Sequence, residues 1–377
     1  MSTLPGSLRR TPLCLFLGLL VLLGLLGGAL AQSSPGDQPF GYLEGRILDI
    51  GSEGRRAIVE TQSGDTIEAE IGLPLSEDMG GAELPSFREG QRVELYYSPA
   101  PDGTQQYVVT DWVRRPALYG LVGLFLAVSV LVARGKGLRA FIATGTSLYI
   151  AIGFIVPRIL DGWNPILVSL LGVGGILILA IYFVHGVNWS TTAAMIGTFV
   201  AVIVTMGLGL LFTELAYLTG FGSEEAMMIN IGASQVNLKG LLLAGLLIGA
   251  LGALTDITIV QASVVRELAH VNPDFGLREL YTRGMNVGLD HIGSLVNTLV
   301  LAYTGAALPL LVLLSINDFT VARALNLELV AAEVVHTLVG SIGLILAVPF
   351  TTLVAGLMFR GDTLPMRKGE LEHAHHH

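Results

Sequence analysis

Between residues 117 and 360 the chain carries a series of apolar runs long enough to cross a membrane, and this decides most of what it can become. In hydrocarbon every backbone N–H and C=O must be satisfied within the protein, so such runs fold as helices. We count seven: 117–133, 139–156, 165–184, 191–212, 237–254, 288–314 and 336–358. At about 1.5 Å per residue each can cross the apolar layer. The sixth is overlong and holds Gly305 and Pro309, so it is expected to tilt, kink or break. Charged residues make up 14% of the chain, against about 25% in soluble domains. A cytosolic enzyme and a disordered chain are thereby excluded. The single cysteine, Cys14, allows no intrachain disulfide, which excludes a disulfide scaffold. A net charge of -9 argues against nucleic acid as a partner.

The first part of the chain reads differently. Arg9 and Arg10 precede an apolar stretch, 13–31, that ends Ala29-Leu30-Ala31. Residues 1–31 are a signal peptide or an uncleaved signal anchor, and both carry residue 32 onward out of the cytoplasm. Residues 32–40 form a polar linker. Over 41–115 the pattern becomes β: 43–50, 56–62, 66–71, 91–98 and 105–113 are rich in β-branched and aromatic residues and partly alternate. Val93, Leu95 and Tyr97 share one strand face, while Gly64-Asp65 and Pro101-Asp102-Gly103 are turn formers. Five short strands in so short a segment predict a small barrel of OB or SH3 type. Trp112 and Arg114-Arg115-Pro116 fit an interface anchor ahead of the first membrane helix. The expected architecture is an all-α polytopic membrane domain, 116–360, preceded by a small extracytoplasmic β-barrel-like domain. A tail over 361–377 ends in histidines that resemble a purification tag or a native His-rich end, and neither is a site.

Basic residues set the orientation. Arg134, Lys136, Arg139, Arg266, Arg278, Arg283, Arg360, Arg367 and Lys368 fall on one side of the predicted spans, against Arg158, Lys239 and Arg323 on the other. The positive-inside bias places the β domain outside and the C-terminus in the cytoplasm. Residues 257–268 have helical spacing, with Ile257, Val260, Val264 and Leu268 near one stripe, as an interfacial helix or a continuation of the fifth span. A helix restarts within 272–280, and 219–235 holds another short one.

Polar groups at membrane depth are costly, so they mark candidate function. Thr255 and Asp256 end the fifth span; Asp290, His291 and Asn297 lie near the inner start of the sixth. Carboxylate with imidazole can bind a cation or relay a proton. Glu333 and His336, at the outer start of the seventh, have the i,i+3 spacing of carboxylate metal sites, and Glu214 and Glu328 are further candidates for that group. The structural alternative for all of these is helix capping and interhelical hydrogen bonding. His185 reads as an interface residue in a short turn. Gly172, Gly174, Gly175, Gly207, Gly209, Gly240, Gly245, Gly249 and Gly252 offer small surfaces for close helix packing.

Several of these stretches occur together in one known family. Gly252-Ala253-Leu254-Thr255-Asp256, Arg278-Glu279-Leu280, Arg283-Gly284-Met285-Asn286, Gly288-Leu289-Asp290-His291 and Asn297 through Gly305 resemble the bacterial YibE/F-like family of multi-pass membrane proteins. Leu308-Pro309-Leu310-Leu311, Glu333, Gly340-Ser341-Ile342-Gly343 and Pro349 continue it, with His336 less securely part of the pattern. The resemblance is expected to run over about residues 40–360. It implies a fold and a place in the bacterial inner membrane, and brings no defined activity or cofactor.

Two functions are expected. The first is a transporter or permease for an ion or small solute, ion- or proton-coupled through Asp256, Asp290, His291 and Asn297, in a homo-oligomer. The second is a sensor or scaffold that binds a partner through the β domain. An enzyme has less support: no HExxH, no GxSxG and no paired aspartates in adjacent spans occur, and no P-loop offers ATP drive.

Overall fold

Strict alternation builds the first domain. The computed structural model describes residues 40–51, 54–71, 87–100, 103–233, 235–317 and 319–360. The signal segment 1–31, the linker to residue 39, the turn residues Pro101 and Asp102 and the tail 361–377 lie outside the described residues. Five strands form: β1 Gly41–Ile50, β2 Arg56–Thr61, β3 Thr66–Ile71, β4 Arg92–Pro99 and β5 Gln105–Trp112. They close a barrel in the order β1-β2-β3-β5-β4, with β1 pairing back onto β4 from Gly41 opposite Tyr97 to Arg46 opposite Arg92. All pairs are antiparallel except β3 with β5, and this five-stranded closure is of the OB type.

Val93, Leu95 and Tyr97 do point inward together, and Ile47, Ala57, Val59, Ala69 and Val109 complete that core. Closure needs glycine where β1 crosses β2. A Cβ on Gly45 would lie 2.3 Å from Val59 Cγ1 and 2.9 Å from the Glu60 carbonyl. Gly64 takes φ +91 in the β2–β3 turn, a conformation that favours glycine. At the barrel's end Trp112 stacks on Phe87 at 4.5 Å and donates from Nε1 to Gln91 at 2.9 Å. Arg114 pairs with Asp111 at 2.5 Å and holds that carboxyl below the usual range; Arg115 pairs with Glu44.

The remaining elements are helices. They are α1 Arg115–Ile150, α2 Val156–Leu160, α3 Pro165–Ile178, α4 Trp189–Leu215, α5 Glu224–Gly232, α6 Leu238–Val271, α7 Leu277–Ala306, α8 Leu308–Ile316, α9 Val321–Leu325 and α10 Glu328–Phe359. π-Helical turns at Ala151–Ile155 and Leu179–Phe183 extend α1 into α2 and lengthen α3. The described residues divide into one unit ending at Val132 and a second beginning at Ala133. Within the second unit, α4, α6 and α10 pack on one another, α7 lies on α6 and α10, and α3 lies on α6. Their shared core runs from Val173 through Val202, Leu247 and Leu254 to Leu344 and Val348.

Among the described residues, five helices are long and apolar enough to cross a membrane: Arg115–Leu160, Pro165–Phe183, Trp189–Leu215, Leu238–Val271 and Glu328–Phe359. A sixth crossing forms if α7 and α8 act together; they meet at a 58° bend. The break comes at Ala307, beside the Gly305 and Pro309 that predicted it. The two expected spans 117–133 and 139–156 fall within one helical run whose backbone leaves the helix at Arg134, φ 52 and ψ -131. The 257–268 stretch continues α6 unbroken. Within it Ile257, Thr258, Gln261, Ala262 and Val265 are buried, whereas Val260 is 44% exposed. The predicted stripe was thus turned too far, because a buried glutamine takes the place of an apolar residue. The short helices expected within 219–235 and from 272–280 appear as α5 and the start of α7.

Candidate functional site

Glycines let the helices come close enough to share polar contacts. A Cβ on Gly197 of α4 would lie 2.1 Å from Thr351 Oγ1, and one on Gly343 of α10 would lie 2.0 Å from Thr205 Oγ1. On α7, Gly284 and Gly288 are one turn apart and face α6 and α10. A Cβ on Gly288 would lie 2.5 Å from Val348 Cγ1 and 3.0 Å from Gln261 Oε1. Of the glycines expected to serve packing, Gly172 meets Ile155, Gly240 meets Pro165 and Gly249 meets Tyr303, whereas Gly174, Gly207, Gly245 and Gly252 have open space around them.

These approaches create a polar seam inside the bundle. Gln261 is fully buried; its Nε2 donates to the Gly284 carbonyl at 2.9 Å and to Thr352 Oγ1 at 2.7 Å. Thr198 and Thr258 share a hydrogen bond at 2.6 Å. Gln261 Oε1 and Thr351 Oγ1 are buried with no hydrogen-bond partner among the described residues. Gln261 and the four threonines did not stand out in the sequence. The usable signal was one amide in the apolar run 257–265, opposite a Gly-x-x-x-Gly pair on the next helix.

A second group lies where α6, α7 and α10 meet. Glu333 and His336 interact electrostatically, and Glu333 also acts on Tyr303 of α7. The Tyr303 hydroxyl sits against Gly249, 2.6 Å from where a Cβ would stand. The His336 Nε2 is buried without a partner among the described residues. Tyr303 belongs to the stretch that carries the family resemblance, but its role here needed the fold. Glu214 and Glu328 are engaged elsewhere. Glu214 pairs with Lys239, and Glu328 clasps the turn before α5, accepting from the N–H of Thr219 at 2.7 Å and of Gly220 at 2.6 Å.

Asp256, Asp290 and His291 do not form a three-residue cluster among the described residues. Asp256 interacts with His185, the residue read as a plain turn histidine. Burial holds the His185 imidazole below its usual range, nearby Lys136 acts the same way, and Asp256 opposes both. Helical geometry explains the separation. Asp256 lies five residues from Gln261, which puts it about 140° around α6 from the face that meets α7. Asp290 lies two residues from Gly288, about 160° around α7 from its docking face. Asp290 and Asn297 are exposed, and His291 Nδ1 is buried without a partner among the described residues. Thr255 is buried and returns its hydroxyl to the Leu251 carbonyl at 2.8 Å. Among the described residues no three His, Cys, Asp or Glu side chains converge as a metal site.

Among the described residues, a small closed β-barrel followed by five or six long apolar helices defines a polytopic helical membrane protein with a β domain. The chain belongs to the YibE/F-like protein family, which matches residues 121–361. The barrel precedes the matched segment, so the likeness, expected from about residue 40, rests on the membrane domain. No curated protein and no solved structure matches the chain.

Proposed function

We propose that the protein is a transporter or permease for an ion or small solute in the bacterial inner membrane, coupled to an ion or proton. The observation that carries this reading is the group at the α6–α7–α10 junction. An imidazole with a free nitrogen, a carboxylate and a phenol meet there on helices of membrane length. Such groups are expensive in hydrocarbon and suit passing a proton or holding a cation. The bent α7–α8 helix beside them supplies a natural moving part. Asp256 with His185, and Asp290 with Asn297, extend the polar positions toward the cytoplasmic side.

The topology behind this reading has seven spans, with the barrel outside and the C-terminus inside. The helical run Arg115–Leu160 would measure about 69 Å at 1.5 Å per residue, over twice the roughly 30 Å apolar layer. It is divided in this reading at Arg134, where Lys136 and Arg139 also mark the cytoplasmic side.

Reconstitution into proteoliposomes tests the reading. Flux of at least one member of a broad ion and solute panel is expected, with loss in Asp256→Asn, Asp290→Asn and His336→Gln. No flux, or flux unchanged in all three variants, overturns it. The sensor reading draws on the barrel having its own closed core. It predicts intact flux-independent signalling that is lost, with a co-purifying partner, when residues 41–112 are removed.

A further inference from the structure

The side of α7 that points away from the bundle carries a largely polar stripe. Asp290, Gly293, Ser294, Asn297, Leu301 and Thr304 succeed one another along it at helical spacing, and every one is exposed. The opposite face is apolar: Ile292, Leu295 and Val296 pack on the core, above the buried Gly284 and Gly288. A helix at a protein–water boundary turns its apolar side inward and its polar side outward. A helix at a protein–lipid boundary cannot do so without leaving polar groups in hydrocarbon. Thr304 satisfies its hydroxyl on the Val300 carbonyl at 2.8 Å. The Asp290 carboxylate and the Asn297 amide have no hydrogen-bond partner among the described residues. Something other than lipid must cover this face.

We propose that it is covered by the same face of a second copy of this chain. A second copy brings matching groups. About a twofold axis along the membrane normal, Asn297 faces itself, and a carboxamide both donates and accepts. Gly293 lets the two backbones approach, and Leu301 packs against Leu301 one turn further on. With the crossing at Asn297, the two Asp290 carboxylates lie about 10 Å nearer the membrane surface and splay apart. The inference rests on reading α7 with α8 as a membrane crossing. It deepens the proposed site by placing Asp290 and Asn297 at a seam that one copy leaves incomplete.

Single cysteines test it in native membranes, in a Cys14→Ser background because Cys14 is the chain's sole cysteine. Oxidation should convert Gly293→Cys, Asn297→Cys and Leu301→Cys from monomer to a species of twice the mass. Leu171→Cys on α3 and Ile203→Cys on α4, 64% and 51% exposed in the native side chains, should remain monomeric. Three results overturn the proposal: no dimer at any α7 position, equal dimer at the two controls, or ready labelling of the α7 cysteines by a membrane-impermeant maleimide in place of crosslinking. The readout needs no flux. Crosslinked dimer without transport refutes the transport reading alone, and transport without crosslinking refutes this one alone.

Discussion

Gly288→Ala tests how α7 is held to the bundle, and the sign of its effect should depend on a second residue. The added Cβ would stand 2.5 Å from Val348 Cγ1, with the Gln261 amide at 3.0 Å and 3.2 Å on its other side. Valine in a helix is stiff at χ1, so Val348 cannot turn its methyl away. Gln261 is tied to Gly284 and Thr352 and cannot yield freely either. Overpacking of this kind costs about 1–3 kcal/mol, offset by about 1 kcal/mol gained on replacing glycine within a helix. The net loss should be about 1 kcal/mol. Val348→Ala alone opens a void where two methyls stood and should cost about 1–3 kcal/mol. In that background Gly288→Ala no longer meets the Val348 methyl and fills part of the void, and the close Gln261 amide offsets part of its helical gain. It should then stabilise by about 0.5 kcal/mol, a coupling of about 1.5 kcal/mol between the two sites. Unfolding in mixed micelles of SDS and mild detergent, followed by circular dichroism for the four proteins, measures each term. An equal effect of Gly288→Ala in both backgrounds would show helix propensity acting alone and would refute docking through Gly288.

Two further perturbations address other contacts. Gly197→Ala should destabilise more than Gly288→Ala, because its Cβ would also lie 2.9 Å from the Thr351 Cα, which no rotamer can move; the same unfolding assay ranks the two. The His185 imidazole should titrate below about 6.5, further down in Asp256→Asn and back up in Lys136→Ala, as NMR of the ring protons reports. Because folding lowers this pKa, the associated stability is present above the unfolded value and is lost as pH falls through it toward the folded one. A midpoint that rises in Asp256→Asn would contradict the placement of that carboxylate.

The barrel was legible because its signal is local. Alternation within each strand and a turn former between strands place the edges within about two residues, and inward-facing Val93, Leu95 and Tyr97 come from the same period. The bend of the sixth span was legible for a similar reason, since Gly305 and Pro309 act on their own helix. What was not legible depends on the angle around a helix axis. Sequence places Asp256, Asp290 and His291 at one depth, and depth alone suggests a single cluster. Azimuth decides otherwise: Gly284 and Gly288 fix which side of α7 docks, and that choice sends Asp290 outward and leaves Asp256 to His185.

The same pair of glycines connects the seam inside the bundle to the stripe outside it. They bring α7 close enough for Gln261 to bond its backbone, and the close approach commits the apolar side of α7 to the bundle. The polar stripe from Asp290 to Thr304 is then turned outward. An amphipathic helix inside a membrane therefore has two faces to satisfy, and one chain satisfies only the first. If α7 instead rotated to bury Asp290 and Asn297 in the bundle, Gly288 would leave Val348 and Gln261 would lose the Gly284 carbonyl, leaving a fully buried amide short of a partner at a cost of about 1–3 kcal/mol. The internal seam and the outward polar stripe are thus one arrangement. Evidence against Gly288 docking from the mutant cycle would remove the reason for the stripe to face a second copy.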